Sequence, residues 1–296
     1  MSKKMKIRDI RSKNGPEISM RVHHFANPEE RQQILMDLAI SSQFQMRYRG
    51  LFEYYGKDFI AYKREKPSDK NRNEFLRVMS MYMANYLEDD SPPSWKLCQA
   101  SFWEDFIYSF YPDHIKHSPD EKSVENFLYQ LKKFVRWLDK RVGTSWYSTV
   151  EQYTSEAFPD LKICEKVLYR LVLHHFPRIH HADWNYQQDV ERISQELSQC
   201  TEDIESQFKV TTIIGTTVVL SELKTNCTYY VRDLPSELLA PGFTLSGVIG
   251  KKSGEQTWNW YITVGIHPPK GRKLDYAVSI KQESIDTYDG VHFFKK

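Results

Sequence analysis

The spacing of apolar residues changes character twice along the chain. Ile18, Met20 and Val22 alternate with Ser19 and Arg21, the period-two pattern of a half-buried strand. Asn27, Pro28, Glu29 and Glu30 then read as an N-cap, a first helical position and an acidic first turn. The helix they open carries Ile34, Leu35, Leu38 and Phe44. Gly50 and Gly56 bracket the aromatic LFEYYG stretch, expected as a strand or turn. Ser68 is placed to cap a second helix with the stripe Phe75, Val78, Met79, Tyr82, Met83 and Tyr86. Pro92-Pro93, inside the polar run from Asp89 to Ser94, cannot continue a helix and marks a boundary. Residues 1–90 are therefore expected as a mixed α/β N-terminal domain.

A helical domain is expected over 94–184. Trp95 to Tyr111 forms one amphipathic segment with Phe102, Trp103, Phe106, Ile107 and Phe110 inward. Ser118-Pro119-Asp120-Glu121 has the form of a capping box, followed by a stripe from Val124 to Leu138 and a stop at Gly143. A further helix is expected over 160–175, ended by Pro177. From there the pattern narrows. Val190, Ile193, Leu197, Cys200 and Ile204 recur at intervals of three and four among polar residues, the a/d seam of a coiled coil. Residues 185–207 are thus expected as a long linking helix. It either lies across a groove of its own domain or serves as a dimer seam or rigid arm.

Strand signals take over at residue 208. Lys209 to Ile214, Thr216 to Leu220, Thr228 to Val231, Phe243 to Ile249 and Trp258 to Ile266 are β-branched or aromatic runs separated by turn residues. Five short strands with tight turns predict a small β-barrel over 208–296, SH3-like or OB-like. Glycine follows the same division: Gly15, Gly50, Gly56 and Gly143 precede residue 200, and the rest lie from Gly215 onward. The fold class expected is α+β with segregated parts.

Composition adds limits. The 296 residues carry 41 Lys and Arg against 39 Asp and Glu, so the formal charge of +2 gives no strong electrostatic field. Aromatics at 14% supply large buried area per residue. No apolar run is long enough to cross a membrane, and the basic N-terminus lacks the apolar core of a signal peptide. Cys98, Cys164, Cys200 and Cys227 form no CxxC pair, so free thiols in a reducing, cytoplasmic setting are expected.

Candidate chemistry is sparse. His174, His175, His180, His181 and Asp183 could hold a metal, but Pro177 breaks the i, i+4 spacing that metal helices use. His175 to Arg178 fits the HxxR of tyrosine recombinases, without the upstream arginine or downstream tyrosine such enzymes need. Gly242 to Gly247 has Walker spacing, yet Val248 stands where lysine must be, so no cofactor is expected. A nucleic-acid surface is the more substantial alternative. Lys3, Lys4, Lys6, Arg8, Arg11 and Lys13 form a basic arm, and Lys251, Lys252, Lys270, Arg272 and Lys273 lie in two barrel loops. Trp258 and Trp260 sit on the strand between those loops and could stack bases, or could be core.

The strand pair around Gly215, the Tyr229-Tyr230-Val231 strand and Pro241-Gly242 resemble the small barrel that follows helical regions in uncharacterised bacterial proteins. Some of those carry SEC-C metal motifs; the cysteine-rich motif is missing here, so no zinc site carries over. In length and general character the chain is similar to phage-encoded inhibitors of the Gabija bacterial defence complex. That resemblance implies a non-enzymatic, oligomeric protein that binds another protein or protein complex by steric occlusion. The seam at Val190, Ile193, Leu197, Cys200 and Ile204 is the expected contact surface for a partner or a second copy.

Overall fold

The computed structural model describes residues 25–271, so the expected strand at Ile18–Val22, the basic arm, Arg272 and Lys273 lie outside the described residues. Within them the fold is α+β: seven α-helices followed by a five-stranded sheet at the C-terminal end.

α1 (Pro28–Ser42) starts as the sequence demands. Asn27 Oδ1 accepts the Glu30 N–H at 2.7 Å and Pro28 takes the first turn. The LFEYYG stretch is no strand. It forms a 3-10 turn (Tyr48–Phe52) that runs into α2 (Tyr54–Glu65). α3 (Lys70–Met81) is capped by Asp69 rather than Ser68, because the Asp69 carboxylate reaches the Arg72 N–H at 3.0 Å. No strand occurs among residues 25–90, so the described part of the expected mixed domain is helical.

The turn after residue 88 does not separate two cores. The ring of Phe134 packs against Phe59 at 5.8 Å, Tyr62 at 5.2 Å, Phe75 at 5.3 Å and Trp95 at 5.9 Å. Those rings come from both sides of the Pro-Pro boundary. Each buried ring removes large apolar area from water, roughly 1.5–3 kcal/mol apiece, which outweighs any tendency of the two stretches to part. The described parts of the expected 1–90 and 94–184 domains share one buried cluster.

Trp95 to Tyr111 is also broken up. A 3-10 turn, the short α4 (Ala100–Asp105) and a π-type turn (Phe106–Phe110) share it, and they bury Phe102, Trp103, Phe106 and Ile107. α5 (Ser123–Val142) begins later than the expected box, because Ser118 Oγ turns onto Asp120 within the preceding loop. Gly143, at φ 75°, closes the helix.

α6 (Tyr147–His175) is longer than expected and contains Pro159. Its first turn is held by Asp139 of α5, whose carboxylate accepts the N–H groups of Trp146 at 3.0 Å and Tyr147 at 2.8 Å. Early capping explains why the helix starts well before residue 160.

The linking helix expected over 185–207 is present only in its first part. α7 (Tyr186–Ser198) ends at the start of β1 (Cys200–Ile214), and Cys200 and Ile204 of the expected seam lie on that strand. The run from Thr201 to Ile214 is rich in β-branched residues, and Lys251 and Val248 offer ladder partners to Glu202 and Glu205. Tertiary pairing overrides the helical period there.

β2 (Thr217–Glu222), β3 (Thr228–Arg232), β4 (Thr244–Lys252) and β5 (Trp258–His267) complete the sheet. β1 pairs with β2 through its second half and with β4 through its first, bending at an irregularity between Val210 and Thr212. β2 pairs with β3, β3 runs parallel to β5, and β5 pairs back to β4. The order β1-β2-β3-β5-β4 therefore returns to β1. Phe208, Val210, Leu220, Val231, Leu245, Ile249 and Trp260 fill its interior.

The strand ring sits on the helical body through β5. Asp113 Oδ1 lies 3.3 Å from His267 Nε2. Lys270 reaches Glu104 at 3.4 Å and Glu156 at 3.3 Å, with its ammonium over the Tyr108 ring at 4.6 Å.

Candidate functional site

The sheet has one covered side and one open side. β5 faces the body; on the outer side of β1, β2 and β3, Lys209, Thr212, Ile214, Thr228, Tyr230 and Arg232 are exposed, while Val219 is buried among them and α7 touches β1. Register defines that face. Val219 stands opposite Tyr230 on one flank and Thr212 on the other; Ser221 stands opposite Thr228 and Lys209. Strand alternation sends the intervening Val218, Leu220 and Val231 inward. Tyr230 is 49% exposed and Ile214 60%, large fractions for such side chains. Lys209, Thr212, Thr228 and Arg232 are exposed around them. The face thus carries Thr212 and Thr228 beside the exposed Tyr230, Ile214, Lys209 and Arg232.

The residues singled out from sequence are scattered. Ile193 is buried and packs inside the chain, Val190 and Leu197 are half-buried beside it, and Cys200 and Ile204 belong to β1. Arg192 fastens α7 to the body by donating to the His175 carbonyl at 2.5 Å. The five seam residues do not form one helical stripe, since a strand carries residues away from the helix axis after Gln199.

Trp258 and Trp260 are core residues and not a stacking platform. Both are buried, the indole N–H of Trp260 donates to Thr263 Oγ1 at 2.8 Å, and its ring packs on Phe208 at 6.0 Å. Lys251 lies over Trp258 at 5.9 Å, and Lys252 is half-buried at the end of β4. Lys270 is engaged with the carboxylates of the body, away from the open face. The predicted basic cluster is therefore not assembled among the described residues.

The histidine cluster is dispersed as well. His180 Nε2 lies 3.2 Å from the Tyr169 hydroxyl, and Asp183 pairs with Arg178, which holds its carboxyl below the usual range. His175 is buried, while His174 and His181 are exposed. Among the described residues no three His, Cys, Asp or Glu side chains gather to hold a metal ion.

Tyr230 and Ile214 were not identified from sequence as surface residues. The signal was present in the Tyr229-Tyr230-Val231 run, where period two must put Tyr230 opposite to its neighbours. Tyr229 points the other way, half-buried, with its hydroxyl 3.4 Å from the buried Glu222 carboxylate; burial pushes that phenol up to about 12. No protein-family model, curated protein or solved structure matches the chain.

Proposed function

We propose that this is a non-enzymatic binding protein that recognises another polypeptide through the outer face of β1, β2 and β3. The observation that carries this reading is the exposure of two large side chains, Tyr230 on β3 and Ile214 on β1, on the same outer face of the sheet. Tyrosine and arginine are the side chains that most often anchor protein interfaces, and Arg232 borders Tyr230's strand end.

Charge weighs against a nucleic-acid partner. In the described part of the sheet region, Lys209, Lys224, Arg232, Lys251, Lys252 and Lys270 are outnumbered by Glu202, Asp203, Glu205, Glu222, Asp233, Glu237 and Glu255. A surface that tracks phosphates needs a clear positive excess, because counterion release supplies most of its affinity. The order β1-β2-β3-β5-β4 supports reading the strands as a small barrel of the OB type, which binds its ligands on the strand 2–3 side. Fold alone does not fix the ligand, so the side chains on that side decide. Occlusion of a host complex, as implied by the resemblance to phage-encoded inhibitors, fits this mode, since it needs contact area and anchors. Self-association, where it occurs, is assigned to this face and not to the 190–204 residues.

The test is affinity capture of the full chain from a cell extract beside its Tyr230→Ala and Ile214→Asp variants, with labelled single-stranded DNA and RNA titrated in parallel at low salt. The expected result is a protein band captured by the parent chain and lost from both folded variants, with no strand bound. Salt-sensitive strand binding that Lys209→Ala and Arg232→Ala abolish would overturn the proposal.

A further inference from the structure

Where the helical body meets the sheet, the chain forms a partly open cavity of about 390 Å³. Its apolar walls come from α6 (Leu168, Val172), α7 (Val190, Ile193) and β5 (Ile262, Val264). That volume falls within the range of small-molecule sites, and such sites favour junctions between packed units.

Three imidazoles also line it: His114, His117 and His175. Burial holds all three below the ordinary histidine range, His117 and His175 at about 4, so each is neutral near pH 7. His114 Nδ1 lies 2.9 Å from the Phe110 carbonyl. In the neutral ring that nitrogen must carry the proton and donate it, which leaves Nε2 as an acceptor. His117 Nδ1 and His175 Nε2 are buried without a hydrogen-bond partner. Unpaired buried polar atoms are costly, and packing alone would be better served here by leucine.

Of the charged groups that line the cavity, Arg77 is ion-paired and Asp113 is part-exposed to solvent. Arg77 lies on Glu74 at 2.7 Å, and Asp113 lies beside His267. Nothing there calls for a charged guest, while neutral imidazole nitrogens in an apolar wall call for a donor. We propose that the cavity is a binding site for a small, uncharged, largely apolar molecule carrying one hydroxyl or N–H group that a histidine accepts. Such a guest would touch body, α7 and β5 at once.

The experiment is calorimetric titration of the full chain at pH 7.5 with three probes: 2-naphthol, naphthalene and 2-naphthoate. The expected result is saturable one-to-one binding of 2-naphthol, with naphthalene and 2-naphthoate each at least about tenfold weaker, the loss from one missing hydrogen bond or one buried charge. His114→Phe should erase the preference for 2-naphthol over naphthalene. Val264→Trp, placed where the native side chain is 39% exposed, should fill the cavity and abolish binding while leaving the thermal midpoint in place. No saturable binding of 2-naphthol, equal affinity for all three probes, or unchanged binding in folded Val264→Trp would each overturn the proposal.

Discussion

The Glu165 carboxylate on α6 accepts the backbone N–H of Val124, at the first turn of α5, at 3.1 Å. Reciprocally, Asp139 on α5 accepts the Trp146 and Tyr147 N–H groups at the start of α6. Each helix therefore caps the other, and the hairpin is fixed at both ends. Glu165 is almost fully buried and its second oxygen takes Lys162 at 2.6 Å. Glu165→Ala should remove the cap and the nearer of the two carboxylates that face Lys162. The expected cost is about 3 kcal/mol, a fall of roughly 6–12 °C in thermal midpoint for a chain of this size. Glu165→Gln, which keeps an acceptor, should recover part of the loss. A midpoint unchanged in Glu165→Ala would contradict this account of the hairpin.

Gly247 on β4 should tolerate no side chain. A Cβ placed there would stand 2.1 Å from the Ile262 carbonyl oxygen and 2.5 Å from the Trp260 ring. The first of these is backbone in a paired strand and cannot turn aside. Gly247→Ala should therefore destabilise by about 3 kcal/mol or more. Trp260→Ala should cost about 3–5 kcal/mol by opening a cavity. Tyr230→Ala, at an exposed site, should stay within about 0.5 kcal/mol. Urea midpoints of the three variants check the assignment of core and surface.

Ile193→Asp distinguishes a chain-internal α7 from an intermolecular seam. Ile193 is buried against the body, so a carboxylate there is taken out of water in place of an apolar contact. The expected outcome is loss of stability by about 2–4 kcal/mol, with the mass of the folded species by light scattering unchanged. A folded variant of reduced mass would restore the seam.

The sequence carried the helices well where caps and periodicity agreed. Asn27 and Gly143 act at the ends their chemistry indicated, and the β-rich C-terminal stretch pairs as strands. It misled where two periods competed. Val190, Ile193 and Leu197 do lie on a helix, and Cys200 and Ile204 extend the spacing only by coincidence, since their partners are strand residues far along the chain. Pairing of that kind is non-local and leaves no trace in spacing. The candidate surface was less legible. Trp258 and Trp260 were weighed as platform or core, and only the enclosing strands decide. Tyr230 could have been found by alternation, but its exposure depends on which side the body covers.

Stability should fall as the solution is acidified from pH 7 to 5. His117 and His175 have folded values near 4 because burial penalises the cation; unfolded, they titrate near 6.5. The unfolded chain thus binds protons that the folded chain refuses. Their contribution is full above about pH 6.5 and is lost progressively down to about 4. Linkage gives about 2 kcal/mol for each by pH 5. Asp113, Arg77 and Glu74 face the His114 side of the same region, and Glu74, held low by Arg77 and Lys116, adds its own loss only below its ordinary range. Urea midpoints across this range should slope downward, and His175→Gln should flatten the slope by its share. A level profile between pH 7 and 5 would refute it.

The outer β1–β2–β3 face is proposed to meet a polypeptide. Photo-crosslinking tests it directly, with benzoylphenylalanine placed at position 230 and, as a control on α5, at position 129, where the native tyrosine is 54% exposed. A discrete, protease-sensitive adduct is expected from position 230 and none from 129. An adduct from 230 that nuclease removes, or equal labelling from both positions, would contradict it.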